Sequence, residues 1–202
     1  MARRIPIVLS DLGRQISERL GQFGVPVPLP QFLELHERYI SLLTKWNRTI
    51  NLTALPLEPP TDEAIDRLLV EPIGASLLAG EPDAIIDLGS GGGSPAIPFW
   101  IQLPGSMITM VESRSRKCAF LREAVRLIKH GKGVAIDKRF EELLDRNPEL
   151  RGSADIVTVR AVRLDEPTSA LIGALLKPSG RVFIFTATLE IIDCSTWNNR
   201  DK

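Results

Sequence analysis

Apolar residues recur at Phe32, Leu35, Tyr39, Leu43 and Trp46, three and four positions apart, and this spacing predicts an amphipathic helix over 30–47. A shorter helix is expected over 10–22, with Ser10 or Asp11 as its N-cap. The run VPVPLP (25–30) separates the two, because each proline fixes φ and removes a backbone donor. A third helical stretch covers 61–79, opening at the cap residue Thr61 and broken or kinked at Pro72. Up to this point the chain reads as all helix.

The pattern changes at Asp83. AIIDL (84–88) is a short apolar run that ends in a glycine-rich turn, as a strand buried on both faces does. Short apolar runs then alternate with helical stretches: MITMVE (107–112), a helix over 115–130, GVAID (133–137) and a short helix over 140–146. DIVTVRAV (155–162), a helix over 166–176 and RVFIF (181–185) complete the series. Five strands separated by helices predict an α/β fold with a doubly wound, mostly parallel sheet built from right-handed crossovers. Residues 1–80 are expected to form an N-terminal helical cap and 81–202 the core, in one compact unit.

Composition narrows the classes. A chain of 202 residues with 44% hydrophobic and 25% charged positions can bury a sizeable core. Its formal net charge is zero, so a nucleic-acid partner has to be argued from local clusters and not from bulk charge. The two cysteines, Cys118 and Cys194, lack a CxxC spacing, and His36 and His130 form no HExxH; neither a disulfide scaffold nor a metal site is expected. The opening MARRIPIVLS is too short in its apolar part for a signal peptide. No stretch approaches the ~18 apolar residues that span a bilayer. A soluble, cytoplasmic monomer without a membrane partner is the expectation.

The candidate chemistry lies at the end of the first strand. Gly89, Gly91, Gly92 and Gly93 stand where ligands of such sheets bind, beyond the carboxyl ends of the strands. Alone, a glycine-rich loop is as consistent with a simple turn. Glu112 ends the second strand, 23 positions after Gly89, where a carboxylate can accept both hydroxyls of an adenosine ribose; the alternative is a solvated strand-end carboxylate. Asp87 could order the loop or meet a cofactor's amino group through water. A dinucleotide fingerprint would continue to Gly or Ala, whereas here Ser94 and Pro95 follow the glycines. S-adenosylmethionine has no pyrophosphate to place on a helix N-terminus, so the loop favours it over a dinucleotide.

KWNRTINLT (45–53), IDLGSGGGSPAIP (86–98), VESRSRKCAFL (111–121), KRFEE (138–142), DIVTVRAV (155–162) and LLKPSG (175–180) follow one another in a specific order. In these segments the chain resembles the RsmG (GidB) family, which methylates N7 of a guanine in bacterial small-subunit ribosomal RNA. The resemblance implies a Rossmann-like class I methyltransferase, S-adenosyl-L-methionine as cofactor, and 16S ribosomal RNA or the 30S subunit as partner. It would put Gly89 under the cofactor, Ser94 in contact with it, and Phe140 and Glu141 beside the adenine. Arg160 would stand at the end of the fourth strand, beside the reacting methyl and the RNA. The chain departs from the family pattern at Ser94, where Phe or Leu is usual, at Ala96, where Gly is usual, and at Thr186 and Ala187, where a basic residue and a glycine are usual. A complete family sheet ends with an antiparallel pair, for which IIDCSTWNNRDK is too short and too polar; C-terminal strands are expected to be missing.

Guanine N7 carries an in-plane lone pair, so its methylation needs positioning and no general base. Arg160 could hold the guanine O6 edge or a phosphate, or it could form a structural salt bridge to a carboxylate such as Glu141. An N7 target lies in a loop or opened region, because the A-form major groove is deep and narrow. Arg122, Arg126 and Lys129 share one helical face, either solvated or facing RNA. Arg114, Arg116 and Lys117 oppose the macrodipole at a helix start, which points to phosphate binding. Trp46 is expected in the core, Asn47 and Asn51 at the helix-to-core junction, Cys118 on an inner helix face, and His36 and His130 at the surface or at helix ends. Beside an RNA guanine-N7 methyltransferase, two readings stand: a methyltransferase on another substrate, and a non-catalytic RNA-binding relative.

Overall fold

The computed structural model describes residues 9–129 and 131–199. Helix α1 (Asp11–Gln22) starts at Ser10, whose hydroxyl accepts from Gly13 N at 2.9 Å. Helix α2 (Pro30–Asn47) opens on a proline, where the missing donor has no helical partner to lose. Its inner face buries Leu33, Tyr39, Ile40 and Leu43. His36 lies on that face too, fully buried, with its Nε2 2.8 Å from Gln102 Nε2. The expected surface position for it is thus corrected: the i, i+3, i+4 spacing with Leu33, Tyr39 and Ile40 carries it inward. His130 lies outside the described residues.

Pro72 does not break the third helical stretch. Helix α3 (Asp62–Ile65), capped by the Thr61 side chain, passes through a π-helical turn (Asp66–Val70) into helix α4 (Glu71–Ser76). The amide of Glu71 donates back to Asp66 O, and residue 72 has no amide to offer. The carbonyl of Arg67 is therefore left without a helical donor, a detail that shapes the site below.

The core follows as β1 (Ala84–Leu88), α5 (Ala96–Ile101), β2 (Met107–Glu112), α6 (Ser115–Ile128), β3 (Lys132–Asp137) and α7 (Phe140–Arg146). Next come β4 (Ala154–Arg160), α8 (Glu166–Leu175), β5 (Leu176–Phe185), β6 (Leu189–Asp193) and α9 (Cys194–Trp197). The six strands lie in the order β3-β2-β1-β4-β5-β6, parallel except for β6. The order reverses between β1 and β4, which makes that junction the switch point.

The C-terminus corrects one expectation. Leu189–Asp193 does form an antiparallel strand on β5, from Phe185↔Leu189 to Arg181↔Asp193. An edge strand needs only one partner and tolerates polar positions, so the polarity of this segment did not forbid it. Among the described residues α9 follows, and no second antiparallel strand. Trp197 of α9 is buried, its Nε1 donating to Ser169 O at 3.0 Å. β5 also starts five residues before the expected 181, because Leu176 pairs with Ala154 across a register irregularity.

Alternation along the strands divides the interior. Ile85, Ile108, Ile156 and Phe183 face one way and join a cluster with α1, α2, α5 and α6, while Ile86, Val111, Val157 and Val182 face α7, α8 and α9. Trp46 packs edge-on against Phe120 of α6, ring centroids 6.0 Å apart, and donates from Nε1 to Glu123 at 3.1 Å. The helical cap and the sheet thus share one core. Among the described residues no helix is long and apolar enough to cross a membrane.

Candidate cofactor and substrate pocket

The glycine loop is tied to β2 by its own backbone. Gly89 N and Ser90 N donate to Val111 O at 2.9 and 3.1 Å, and Gly89 takes φ +72°, a conformation that favours glycine. A Cβ there would stand 2.7 Å from Val162 Cγ2. Glu112 completes the turn: Oε2 accepts from Gly91 N at 2.9 Å and Oε1 from Arg114 N at 2.8 Å. Glu112 is 7% exposed, so it is not the solvated strand-end group of the alternative reading. It fixes the loop and the start of α6 while still lining the pocket.

Asp87 sits beneath the loop, 1% exposed. Thr158 Oγ1 donates to its Oδ1, whereas Oδ2 has no hydrogen-bond partner. Burial pushes its carboxyl up to about 6, against the opposing hydrogen bonds from Ser90 and Thr158.

The other wall comes from the helical cap. Asn47 accepts from Leu52 N and Thr53 N at 2.9 and 3.0 Å and donates to Thr53 O at 3.1 Å, which folds the segment after α2 against the loop. Leu52 O would lie 2.9 Å from a Cβ at Gly92. Tyr39, fully buried, reaches the same glycine with its hydroxyl. Asn51 is exposed.

Arg160 ends β4 and is 14% exposed. Its Nη1 donates to Arg67 O, the carbonyl freed by the π turn, and to Ser94 Oγ at 3.1 Å; Nη2 donates to Glu71 Oε2 at 2.7 Å. Its guanidinium lies over the Phe185 ring, 4.9 Å from the centroid. The carboxylate partner is thus Glu71 and not Glu141. Ser94 in turn donates to Leu68 O at 3.0 Å, so the small polar residue bridges the arginine to the cap.

These groups converge on one pocket of about 420 Å³. Of the residues singled out in the sequence, Gly89, Gly91, Gly92, Ser94, Glu112, Arg114, Lys117 and Arg160 line it. Asp87 lies below the loop. Phe140, half-buried, and Glu141, exposed, stand at the start of α7 outside the lining; the Phe140 ring tip is 3.8 Å from where a Gly89 Cβ would be. Arg116 is exposed on the first turn of α6, also outside it. Sequence reasoning missed the cap's contribution, namely Leu43, Leu52, Thr53, Leu55, Arg67 and Leu68. The available signals were KWNRTINLT and Pro72, and neither says which wall the cap would touch.

A family model described as "rRNA small subunit methyltransferase G" matches residues 33–197. The chain belongs to this family. A Stenotrophomonas maltophilia relative, named ribosomal RNA small subunit methyltransferase G, is 37% identical over 174 residues, covering 85% of this chain and 75% of the relative. One of the same name from Xanthomonas axonopodis is 37% identical over 145 residues, 71% of this chain and 63% of the relative. The match therefore spans less than two thirds of the Xanthomonas protein.

Solved structures agree on the fold. The family member aligns with a candidate protein-L-isoaspartate O-methyltransferase from Plasmodium falciparum, in complex with S-adenosyl-L-homocysteine. The TM-score is 0.57 at 17% identity, over 92% of this chain and 90% of that one. A candidate O-methyltransferase from Klebsiella pneumoniae gives a TM-score of 0.53 at 14% identity, over 84% and 70%. The architecture is a class I Rossmann-like methyltransferase, as the resemblance implied.

Proposed function

We propose that this chain is an S-adenosyl-L-methionine-dependent methyltransferase that modifies N7 of a guanine in 16S ribosomal RNA of the small subunit. The observation that carries this reading is the convergence of Glu112, the glycine loop and Arg160 on one pocket, in a member of this family. The residues present fit the cofactor: the glycines leave a cradle free of side chains, and the Glu112 carboxylate has lone pairs left for two ribose hydroxyls. Gly89 and Gly91 would lie beneath the cofactor, Ser94 in contact with it, and Phe140 and Glu141 beside the adenine. Asp87 would hold the loop from below. When bound, S-adenosylmethionine supplies an electrophilic sulfonium methyl group.

The chain's own task is then orientation. Guanine N7 attacks with a lone pair already in the ring plane, so no side chain has to remove a proton first. Arg160 is held by three partners and lines the pocket, so it would lie fixed against the O6 edge of the target guanine without giving up Glu71. Arg114, Arg116 and Lys117, which make no ion pair with a described residue, would take phosphates of the RNA. A monomer in the cytoplasm suits this reading.

Calorimetry with S-adenosylmethionine tests the proposal first, and methyl transfer to undermodified 30S subunits and to naked 16S ribosomal RNA tests it second. Binding followed by N7 methylation on either substrate is the expected result. No cofactor binding, with or without RNA, overturns it; binding without transfer to either substrate redirects the enzyme to another acceptor.

A further inference from the structure

Glu71 holds two guanidinium groups, one on each carboxylate oxygen. Oε2 accepts from Arg160 Nη2 at 2.7 Å, and Oε1 faces Arg67 Nε at 3.5 Å. Arg67 and Arg160 both line the pocket, and they are joined a second time where Arg160 donates to the Arg67 carbonyl.

The two cations are not equivalent. Arg160 is largely buried, in short contact with its carboxylate, and stacked on Phe185. Arg67 is 43% exposed and its contact with Glu71 is long. One carboxylate cannot neutralise two guanidiniums, so a positive charge is left over at this wall, and Arg67 is the partner that presents it. An exposed pair at such a distance is weak, and Arg67 can exchange Glu71 for a stronger anion at little cost, which the more enclosed Arg160 with its short contact cannot do. Arg114 and Lys117 line the same pocket without an ion pair to a described residue. Of the acids nearby, Glu112 is engaged by backbone amides and Glu71 by the arginines, while Asp87 is buried beneath the loop with Thr158 and does not line the pocket. A strand carrying regularly spaced negative charge suits this rim, and a forked guanidinium suits a phosphate oxygen pair.

We propose that Arg67 is a substrate-contacting residue that binds a backbone phosphate beside the target base, and that Glu71 is the positioning residue that holds Arg67 and Arg160 in a fixed relation. The inference rests on the reading of this pocket as a ribosomal RNA methyltransferase site. Because the π turn fixes the backbone of residues 66–70, the phosphate contact and the Arg160 contact are set by one element of the cap.

The test compares wild type with Arg67→Ala, Arg67→Lys and Glu71→Gln, all at positions at least one-third exposed and checked by thermal melting. Affinity for undermodified 30S subunits is measured over a range of salt, S-adenosylmethionine affinity by calorimetry, and methyl transfer by steady-state kinetics. Arg67→Ala is expected to weaken subunit binding about 5–10-fold and to lower the log–log salt slope by about one, with cofactor affinity unchanged. Arg67→Lys is expected to restore most of the binding, since an ammonium still meets a phosphate as a point charge. Glu71→Gln is expected to lower kcat about tenfold or more while KM for the subunit changes less than about threefold. Wild-type affinity and salt slope in Arg67→Ala, or equal losses of subunit and cofactor binding, would overturn the Arg67 assignment. Glu71→Gln with wild-type kcat, or with KM rising and cofactor affinity falling as kcat falls, would overturn the positioning role. A wild-type chain that binds neither the subunit nor naked 16S ribosomal RNA removes the functional reading itself, a result distinct from any variant difference.

Discussion

The hydroxyl of Tyr39, in helix α2, donates to the carbonyl oxygen of Gly92, in the glycine loop, at 2.8 Å and across 53 residues of sequence. Burial pushes the phenol well above its ordinary range, so it remains a donor at every pH at which the protein is handled. Tyr39→Phe removes the donor and leaves the half-buried Gly92 carbonyl without it. The expected loss is about 1–3 kcal/mol of stability, with weaker S-adenosylmethionine binding. Thermal melts and calorimetry check it; an unchanged melting temperature would show that the loop is held by other contacts.

Asp87 gives a pH signature of opposite sign to most carboxylates. Its folded-state value of about 6 lies above the ordinary 3.8, so the native state holds a proton that the unfolded state releases. Stability from this residue is therefore fully present below about pH 4 and is lost as pH rises through about 6, on the order of 3 kcal/mol in all. Asp87→Asn keeps an acceptor for Thr158 and removes the buried charge. Denaturant titrations should find the variant more stable than wild type at pH 7 and its stability flatter between pH 4 and 6; an unaltered slope would place the titration elsewhere.

Glu112→Ala withdraws the acceptor of Gly91 N and Arg114 N along with the proposed ribose contact. Cofactor affinity is expected to fall about 10–100-fold, the scale of one or two hydrogen bonds to a charged group. Normal calorimetric affinity would sink the ribose assignment.

Substitutions at the start of α6 test the proposed RNA contacts apart from the proposed cofactor contacts. Arg114→Ala combined with Lys117→Ala is expected to reduce the salt dependence of RNA affinity by about one to two in log–log slope, with little change in protein stability. Filter binding at several salt concentrations reads it. A slope equal to wild type would mean that these cations face solvent only.

Sequence periodicity was a good guide to the sheet, because buried parallel strands such as AIIDL and MITMVE are short apolar runs that depend little on their neighbours. The glycine loop and Glu112 were legible for a similar reason: both sit at strand ends whose place in the fold is set by topology. The site's second wall was not. Pro72 signals an interruption, yet only the docked structure reveals that the interruption is a π turn whose free carbonyl meets Arg160. The partner of Arg160 was likewise unreadable, since Glu71 lies 89 residues away in sequence. His36 went wrong because a polar residue inside a helical apolar stripe looks like a surface residue until its partner, Gln102, is known. β6 shows that polarity alone does not exclude an edge strand.

The shared core has a consequence for how the protein is made. Ile16, Leu20, Tyr39, Leu43 and Leu69 bury their side chains in the same cluster as Ile97, Trp100, Phe120 and Leu121. The N-terminal third therefore leaves the translating ribosome well before the residues that cover it. A fragment ending before Ala96 is expected to bind a hydrophobic dye and to lack a cooperative melt, and a sharp transition in that fragment would contradict this. Both walls of the pocket then come into being together, so that a nascent chain has no partial binding site to offer until α5 and α6 have been added.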